Sequence, residues 1–188
     1  PFCISSASTM DLEKIAAVGG RQWFQLYMWE DPALSLAVVD RAHAAGCEAL
    51  VVTLDLPVPP NREYLFRNGF GMPFALNTRN FADLLAHPRW LAGVIGRYLL
   101  QGGLPGQANL PPDKRSTIAR GAKPGALFKQ DNLDWDDLAR LRERWPGTFV
   151  LKGLLHPDDA ARAAAIGADA VIVSTHGGRA LDHAPAAI

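Results

Sequence analysis

The 188-residue sequence is poor in most of what would mark a specialised class. It holds only two cysteines, Cys3 and Cys47, each in an apolar setting. That excludes a disulfide framework and a thiolate metal site, and both read as free, buried thiols in a reducing compartment. No cluster of histidines and carboxylates has metal-ligand spacing, so no metal is expected. No apolar run reaches the roughly 18 residues that a spanning helix needs, and no signal peptide is visible, so nothing is expected to cross a membrane. Net charge is lacking too: 19 basic and 19 acidic residues cancel, which argues against nucleic acid as a partner. An initiator methionine is also missing, and Pro1 opens directly on a strand-like run, which reads as a cut. The composition, 48% hydrophobic and 20% charged, suits one globular domain with a sizeable core.

Strand and helix signals alternate along the chain. Residues 1–5, 23–27, 49–53, 148–152 and 170–174 read as strands. Helices are expected from Asp11 to the Gly19-Gly20 stop, from the Asp31-Pro32 start to Ala45, and over 133–145 and 157–166. The strands are near-continuous apolar runs rather than alternating ones, so both faces of the sheet are covered and the sheet is parallel. The order βαβαβ, a long insert, then αβαβ predicts an α/β fold, a TIM (β/α)8 barrel present in part. A closed barrel takes eight strands and usually about 250 residues. Five strands are legible here, roughly the second to the sixth, with an insert over 56–130 after the third. An insert far longer than ordinary loops is expected to be functional or partly helical.

The stretch around which the rest is organised is Val171-Ile172-Val173-Ser174-Thr175-His176-Gly177-Gly178-Arg179. A buried strand that releases a hydroxyl, a base, a flexible turn and a cation at its carboxyl end is built like the catalytic face of a barrel. An internal repeat sharpens this. Residues 44–55 align without gaps on residues 165–176: helix end, glycine, acidic residue, strand, hydroxyl, then a polar group two residues on. The repeat pairs Thr53 with Ser174 and Asp55 with His176. Next-but-one strands of a barrel share side-chain layers, so Asp55 and His176 are expected to face one another. Ser5, Gln25 with Tyr27, and Lys152 also stand where apolar runs stop. Five strands each ending in a hydrogen-bonding or charged group point to a small-molecule site.

With those residues in view, the chain resembles the FMN-dependent 2-hydroxy acid dehydrogenases and oxidases. The resemblance rests on residues 174–179, on Trp23-Phe24-Gln25-Leu26-Tyr27, on Lys152-Gly153 followed by Asp158-Asp159-Ala160, and on Thr53-Leu54-Asp55 with Arg62-Glu63. The insert, from His87-Pro88-Arg89-Trp90 through Ala108-Asn109, most resembles the mandelate and lactate dehydrogenase branch. The resemblance implies oxidation of an L-(S)-2-hydroxy acid to the 2-oxo acid, with electrons passing to FMN and then to a quinone, another electron-transfer acceptor or O2. It implies that Ser5, Gln25, Thr53, Lys152 and Ser174 hold the flavin and that His176 is the base, oriented by Asp55. Arg179 would clamp the substrate carboxylate, with Tyr27 and Arg62 as further substrate contacts. It also implies a homo-oligomer in the full-length protein. The family usually carries Asn at the position of Thr175 and Gln at that of Ala180, so the loop around the base departs from its pattern. The strand-one contacts and the phosphate-binding segments of strands seven and eight have no counterpart here, which leads to the expectation that the piece alone is inactive and binds FMN poorly.

Plainer alternatives stand beside these roles: Tyr27 as a packing aromatic, Arg62 as a partner of Glu63 alone, Lys152 as a strand-end lysine reaching solvent. His43, His87, His156 and His183 read as surface or cap residues. At the level of function the alternative is an inert barrel fragment that only binds a partner or membrane. Within the insert, Trp90, Leu91, Val94, Ile95, Tyr98 and Leu99 form one apolar helical face over 88–100. Residues 87–123 carry Arg89, Arg97, Lys114, Arg115, Arg120 and Lys123 against Asp113 alone. Such a segment suits peripheral contact with the inner face of an anionic membrane in an otherwise cytoplasmic protein. The small Ala7 is expected to leave room for a bulky 2-hydroxy acid such as mandelate over glycolate.

Overall fold

The computed structural model describes residues 1–56, 62–71, 73–74, 76–120, 132–180 and 183–187. Its centre is a five-stranded sheet of β1 (Phe2–Ser5), β2 (Gln22–Leu26), β3 (Ala49–Thr53), β4 (Thr148–Leu154) and β5 (Ala170–Val173). Every neighbouring pair is parallel and the spatial order is the sequence order. A doubly wound sheet would reverse direction at a switch point; an order that never reverses is the path of a barrel wall. The sheet is open among the described residues, with β1 and β5 as its edges.

The crossovers are helices, as parallel pairing requires: α1 (Leu12–Ala16) and α2 (Pro32–Ala44) before the insert, then α7 (Trp135–Arg144) and α8 (Pro157–Ala165) after it. Local chemistry sets their ends. Asp31 accepts from the Ala33 amide ahead of Pro32. Asp134 and Asp137 cap one another's backbone reciprocally. The His156 ring accepts from the Asp158 amide. The buried Gln22 donates to the carbonyls of Ile15, Ala16 and Gly19, which closes α1. Phe24, Leu26, Leu50, Val52, Phe149 and Leu151 turn one sheet face towards these helices and form the core with Val38, Val39, Leu138, Leu141 and Trp145. By the two-residue period of a strand, Ser5, Gln25, Thr53 and Lys152 lie on the other face.

The insert separates into two parts. The first holds α3 (Glu63–Arg67), α4 (Thr78–Ala86), α5 (Pro88–Trp90), a π-helical segment (Leu91–Gly96) and α6 (Arg97–Leu100), the last three without a break. The single α-helical face expected over 88–100 is therefore not regular. The wider π turn rotates the residues after it, leaving Leu91, Val94, Ile95 and Tyr98 half-buried and Trp90, Leu99 and Leu100 exposed. The second part, from about Pro105 to Ile118, folds back on the sheet and buries Asn109, Leu110 and Ser116. Cys47 is buried as expected, whereas Cys3, on the edge strand β1, is exposed. His43, His87 and His183 lie on the surface.

Replacing Asp134 by Ala removes the side-chain arm of the α7 capping box, the acceptor for the Asp137 amide, at a place remote from the carboxyl ends of the strands. The expected loss is about 1 kcal/mol of stability, read as a lower urea midpoint at unchanged slope.

Candidate active site

At the carboxyl ends of the strands the polar side chains join into two connected groups. The first is a row across β1, β2 and β3. Ser5 Oγ donates to Gln25 Oε1 over 2.8 Å, and Gln25 Nε2 donates to Thr53 Oγ1 over 2.8 Å. The register that sets Ser5 beside Gln25 makes the first contact direct. The second group surrounds Asp55, just beyond β3. Its Oδ1 accepts from His176 Nδ1 at 2.9 Å, and its Oδ2 accepts from Lys152 Nζ at 2.8 Å and from Ser174 Oγ at 2.9 Å. Ser174 Oγ accepts in turn from Lys152 Nζ and from the His176 amide. Thr53 and Lys152 are register partners on β3 and β4, so the two groups abut.

Backbone conformation makes this closeness feasible. Gly153 interrupts the β4–β5 register with φ +110°, and a Cβ there would stand 2.5 Å from the Asp55 Cβ. Only glycine lets β4 pass so near to Asp55. His176 itself has φ +57° in the short turn His176–Gly178, an uncommon conformation for a residue with a side chain. The turn throws the imidazole back onto Asp55 instead of letting it follow the strand outwards.

The Asp55 side chain is only 6% exposed. Burial alone would raise its pKa, but hydrogen bonds from His176, Lys152 and Ser174, with the Lys152 charge, outweigh that and hold the carboxyl below its ordinary value. An ionised Asp55 fixes the tautomer of His176: Nδ1 carries the proton, and Nε2 presents a lone pair. Tyr27 OH stands 3.4 Å from that Nε2, with its ring tilted against the imidazole. Burial first, and the Asp55 charge second, raise the Tyr27 pKa, so its phenol stays protonated at neutral pH. Beyond this pair opens a cavity of about 480 Å³ lined by Arg62, Glu63, Tyr64, Arg67, Gly178 and Arg179. The charges of Arg62 and Arg179 act on Tyr27 in the opposite sense and lower its pKa by less. The Arg62 Nε is buried without a hydrogen-bond partner among the described residues, and Glu63 pairs with Arg67.

The structure thus gathers all ten residues singled out in the sequence at one end of the sheet. Three more belong to the surroundings. Ser6 Oγ accepts from the Tyr27 amide, Gly153 grants the close approach, and Asn109 from the insert is buried against the loop after β1. For the second the sequence signal is the glycine that directly follows Lys152 at the strand end. Ser6 and Asn109 bond mainly to backbone groups, which leave no mark in a sequence. Among the described residues there is no group of three or more side chains suited to a metal ion.

Comparison with known proteins identifies the family. The FMN-dependent dehydrogenase family matches over residues 1–188. The L-lactate dehydrogenase of Alcaligenes faecalis is 39% identical over 97% of this chain and 48% of its own length. That of Acinetobacter baumannii is 37% identical over 97% and 47%. Among solved structures, the monotopic membrane protein (S)-mandelate dehydrogenase is 34% identical, with a TM-score of 0.86, over 100% of this chain and 49% of its own. A mandelate oxidase variant with (S)-mandelic acid has a TM-score of 0.70 at 34% identity, over 100% and 42%. The chain therefore spans about half the length of the relatives it matches. With that match covering every residue of the sequence, the chain belongs to the FMN-dependent dehydrogenase family.

Proposed function

We propose that the protein containing this chain oxidises an L-2-hydroxy acid to the 2-oxo acid, with electrons passing through FMN to a quinone or O2. The observation that carries the reading is the ionised Asp55 holding His176 by Nδ1, with Nε2 beside the Tyr27 hydroxyl, on a turn whose Gly178 and Arg179 line a cavity shared with Arg62. Nε2 is placed to take a proton from a bound hydroxy acid, and Asp55 favours the imidazolium that results. Arg62 and Arg179 supply planar guanidinium groups for the substrate carboxylate, a bidentate task that lysine performs poorly. Tyr27, kept protonated, donates a further hydrogen bond. The half-buried Ala7 leaves space for a bulky substituent.

The residues present fit a flavin. Ser5, Gln25 and Thr53 offer hydroxyl, amide and hydroxyl in a row, the mixed donors and acceptors that the pyrimidine edge of an isoalloxazine needs. Lys152 fixes a cation beside that row, where it favours negative charge on a ligand. FMN, when bound, supplies the two-electron acceptor.

Contact with a membrane is part of the same reading. No helix among the described residues is long and apolar enough to cross a bilayer. Yet Trp90, Leu99 and Leu100 are 48%, 59% and 90% exposed beside Arg89 and Arg97, a composition that suits the lipid interface. Arg115 is paired with Asp11, and Lys123 lies outside the described residues, so the cations beside these apolar side chains are the exposed Arg89 and Arg97. Excision of all of 87–123 would remove the buried Asn109, Leu110 and Ser116, so a test of membrane contact must spare residues beyond 104.

Four measurements follow. In the full-length protein, His176→Ala is expected to retain FMN and to slow its anaerobic reduction by about 100-fold or more; reduction at the parent rate removes His176 as the base. Mandelate, lactate and glycolate as reductants are expected to rank in that order of kcat/KM, and a glycolate optimum removes the bulky-substrate reading. Asp55→Asn is expected to cost about 1–3 kcal/mol at pH 7, because it takes a charged acceptor from Lys152 and His176. A carboxyl with a depressed folded pKa stabilises above its unfolded value of about 3.9 and loses that contribution as pH falls through the folded value. The gap between parent and variant in urea midpoint should therefore narrow as pH falls below about 3.9; a gap independent of pH refutes the assignment of charge. Finally, flotation with anionic vesicles at low salt is expected for the full-length protein and is lost on changing Trp90, Leu99 and Leu100 to Ser, with flavin reduction retained; a protein that ignores anionic vesicles has a purely structural insert.

A further inference from the structure

The loop between β1 and α1 crosses the carboxyl end of the sheet and is held from outside the barrel wall. Asn109 is 1% exposed and spends its whole side-chain amide on this loop. Its Oδ1 accepts from the Leu12 amide at 2.9 Å, and its Nδ2 donates to the carbonyls of Ser5 and Ser6 at 3.3 and 3.4 Å. The neighbouring Ala108 amide donates to the Ser8 carbonyl at 3.0 Å. Asn109 is itself fixed from behind, its carbonyl accepting from Arg41 Nη1 at 2.7 Å, while Arg41 is paired with Glu13. Through the loop the effect reaches the site. Ser5 Oγ is the first member of the row that continues through Gln25 to Thr53, and Ser6 Oγ holds the Tyr27 amide at 3.0 Å.

The side-chain type matters here. A buried amide can accept from one amide and donate to two carbonyls at once; a carboxylate cannot donate and an aliphatic residue can do neither. Loops are the least restrained part of such a fold. The Ser5 carbonyl also accepts from the Ser8 amide, whereas the carbonyl of the buried Ser6 depends on Asn109 for its donor among the described residues.

We propose that Asn109 is a positioning residue of the active site: the returning part of the insert fixes the β1–α1 loop, and through it sets Ser5 and Tyr27 relative to Thr53 and His176. The inference rests on the flavin and hydroxy acid reading given above. It divides the insert by task, the exposed helices serving the surroundings and residues 105–118 completing the site.

The test uses the full-length protein, Asn109→Ala, Asn109→Asp and the remote cap variant Asp134→Ala. Amide exchange read by mass spectrometry on residues 5–12 is combined with FMN titration of the stripped protein. Asn109→Ala is expected to speed exchange over 5–12 by roughly 10-fold, with β3 and β4 unchanged, and to weaken FMN binding by a similar factor. Asn109→Asp keeps the acceptor for the Leu12 amide and loses both donors, so FMN binding weakens while that amide stays protected. Asp134→Ala lowers the unfolding midpoint and moves neither reading. Parent-like exchange and affinity in Asn109→Ala overturn the proposal, as does a loss of affinity that Asp134→Ala reproduces at equal destabilisation. Should Asn109→Ala fail to accumulate, Asn109→Asp decides on the same two readings. A parent that binds no FMN defeats the reading of the site instead, and the exchange data then decide separately whether Asn109 pins the loop.

Discussion

A single buried carboxylate constrains this end of the molecule. Asp55 leaves β3 with almost no access to water, and a charge so placed must be met by donors from its surroundings. They come from two other strands: Lys152 near the end of β4, Ser174 and His176 beyond β5. Each partner is thereby restricted as well. Lys152 cannot swing away without stranding Asp55, and Gly153 must remain without a side chain. The histidine turn is held in a backbone conformation that it would not choose alone. Ion pairs of this kind contribute little net stability, since desolvation offsets most of the attraction. What they contribute is geometry, and the fixed imidazole tautomer is its chemical product.

Much of this was legible because a barrel repeats itself. Equivalent strands place equivalent residues in the same layer, so the alignment of residues 44–55 on 165–176 brought Asp55 and His176 together before any coordinates. Continuous apolar runs gave the parallel strands, and Asp31-Pro32 gave the start of α2, because the causes are local. Features with distant causes were opaque. The clamp by Asn109 joins residues more than a hundred positions apart through main-chain groups, which carry no residue-specific signal. The π-helical segment obeys the apolar spacing of an ordinary helix in sequence, so spacing could not reveal it. Cys3 was expected inside because its neighbours are apolar; on an edge strand that reasoning fails.

The insert leaves and re-enters the sheet between two strands that are hydrogen-bonded neighbours. Lys152 and Asp55, 97 residues apart in sequence, meet only when that excursion has been closed. For a flexible segment the entropy of closure grows with the logarithm of its length, so doubling the excursion costs only about 0.6 kcal/mol more. A junction between β3 and β4 can thus lengthen, shorten or exchange its contents with little thermodynamic consequence for the strands on either side. Kinetics are less forgiving, because pairing across so long a separation is slow to form. An architecture that completes its charged cluster only with that pairing leaves Asp55 and Lys152 solvated until β3 and β4 have met.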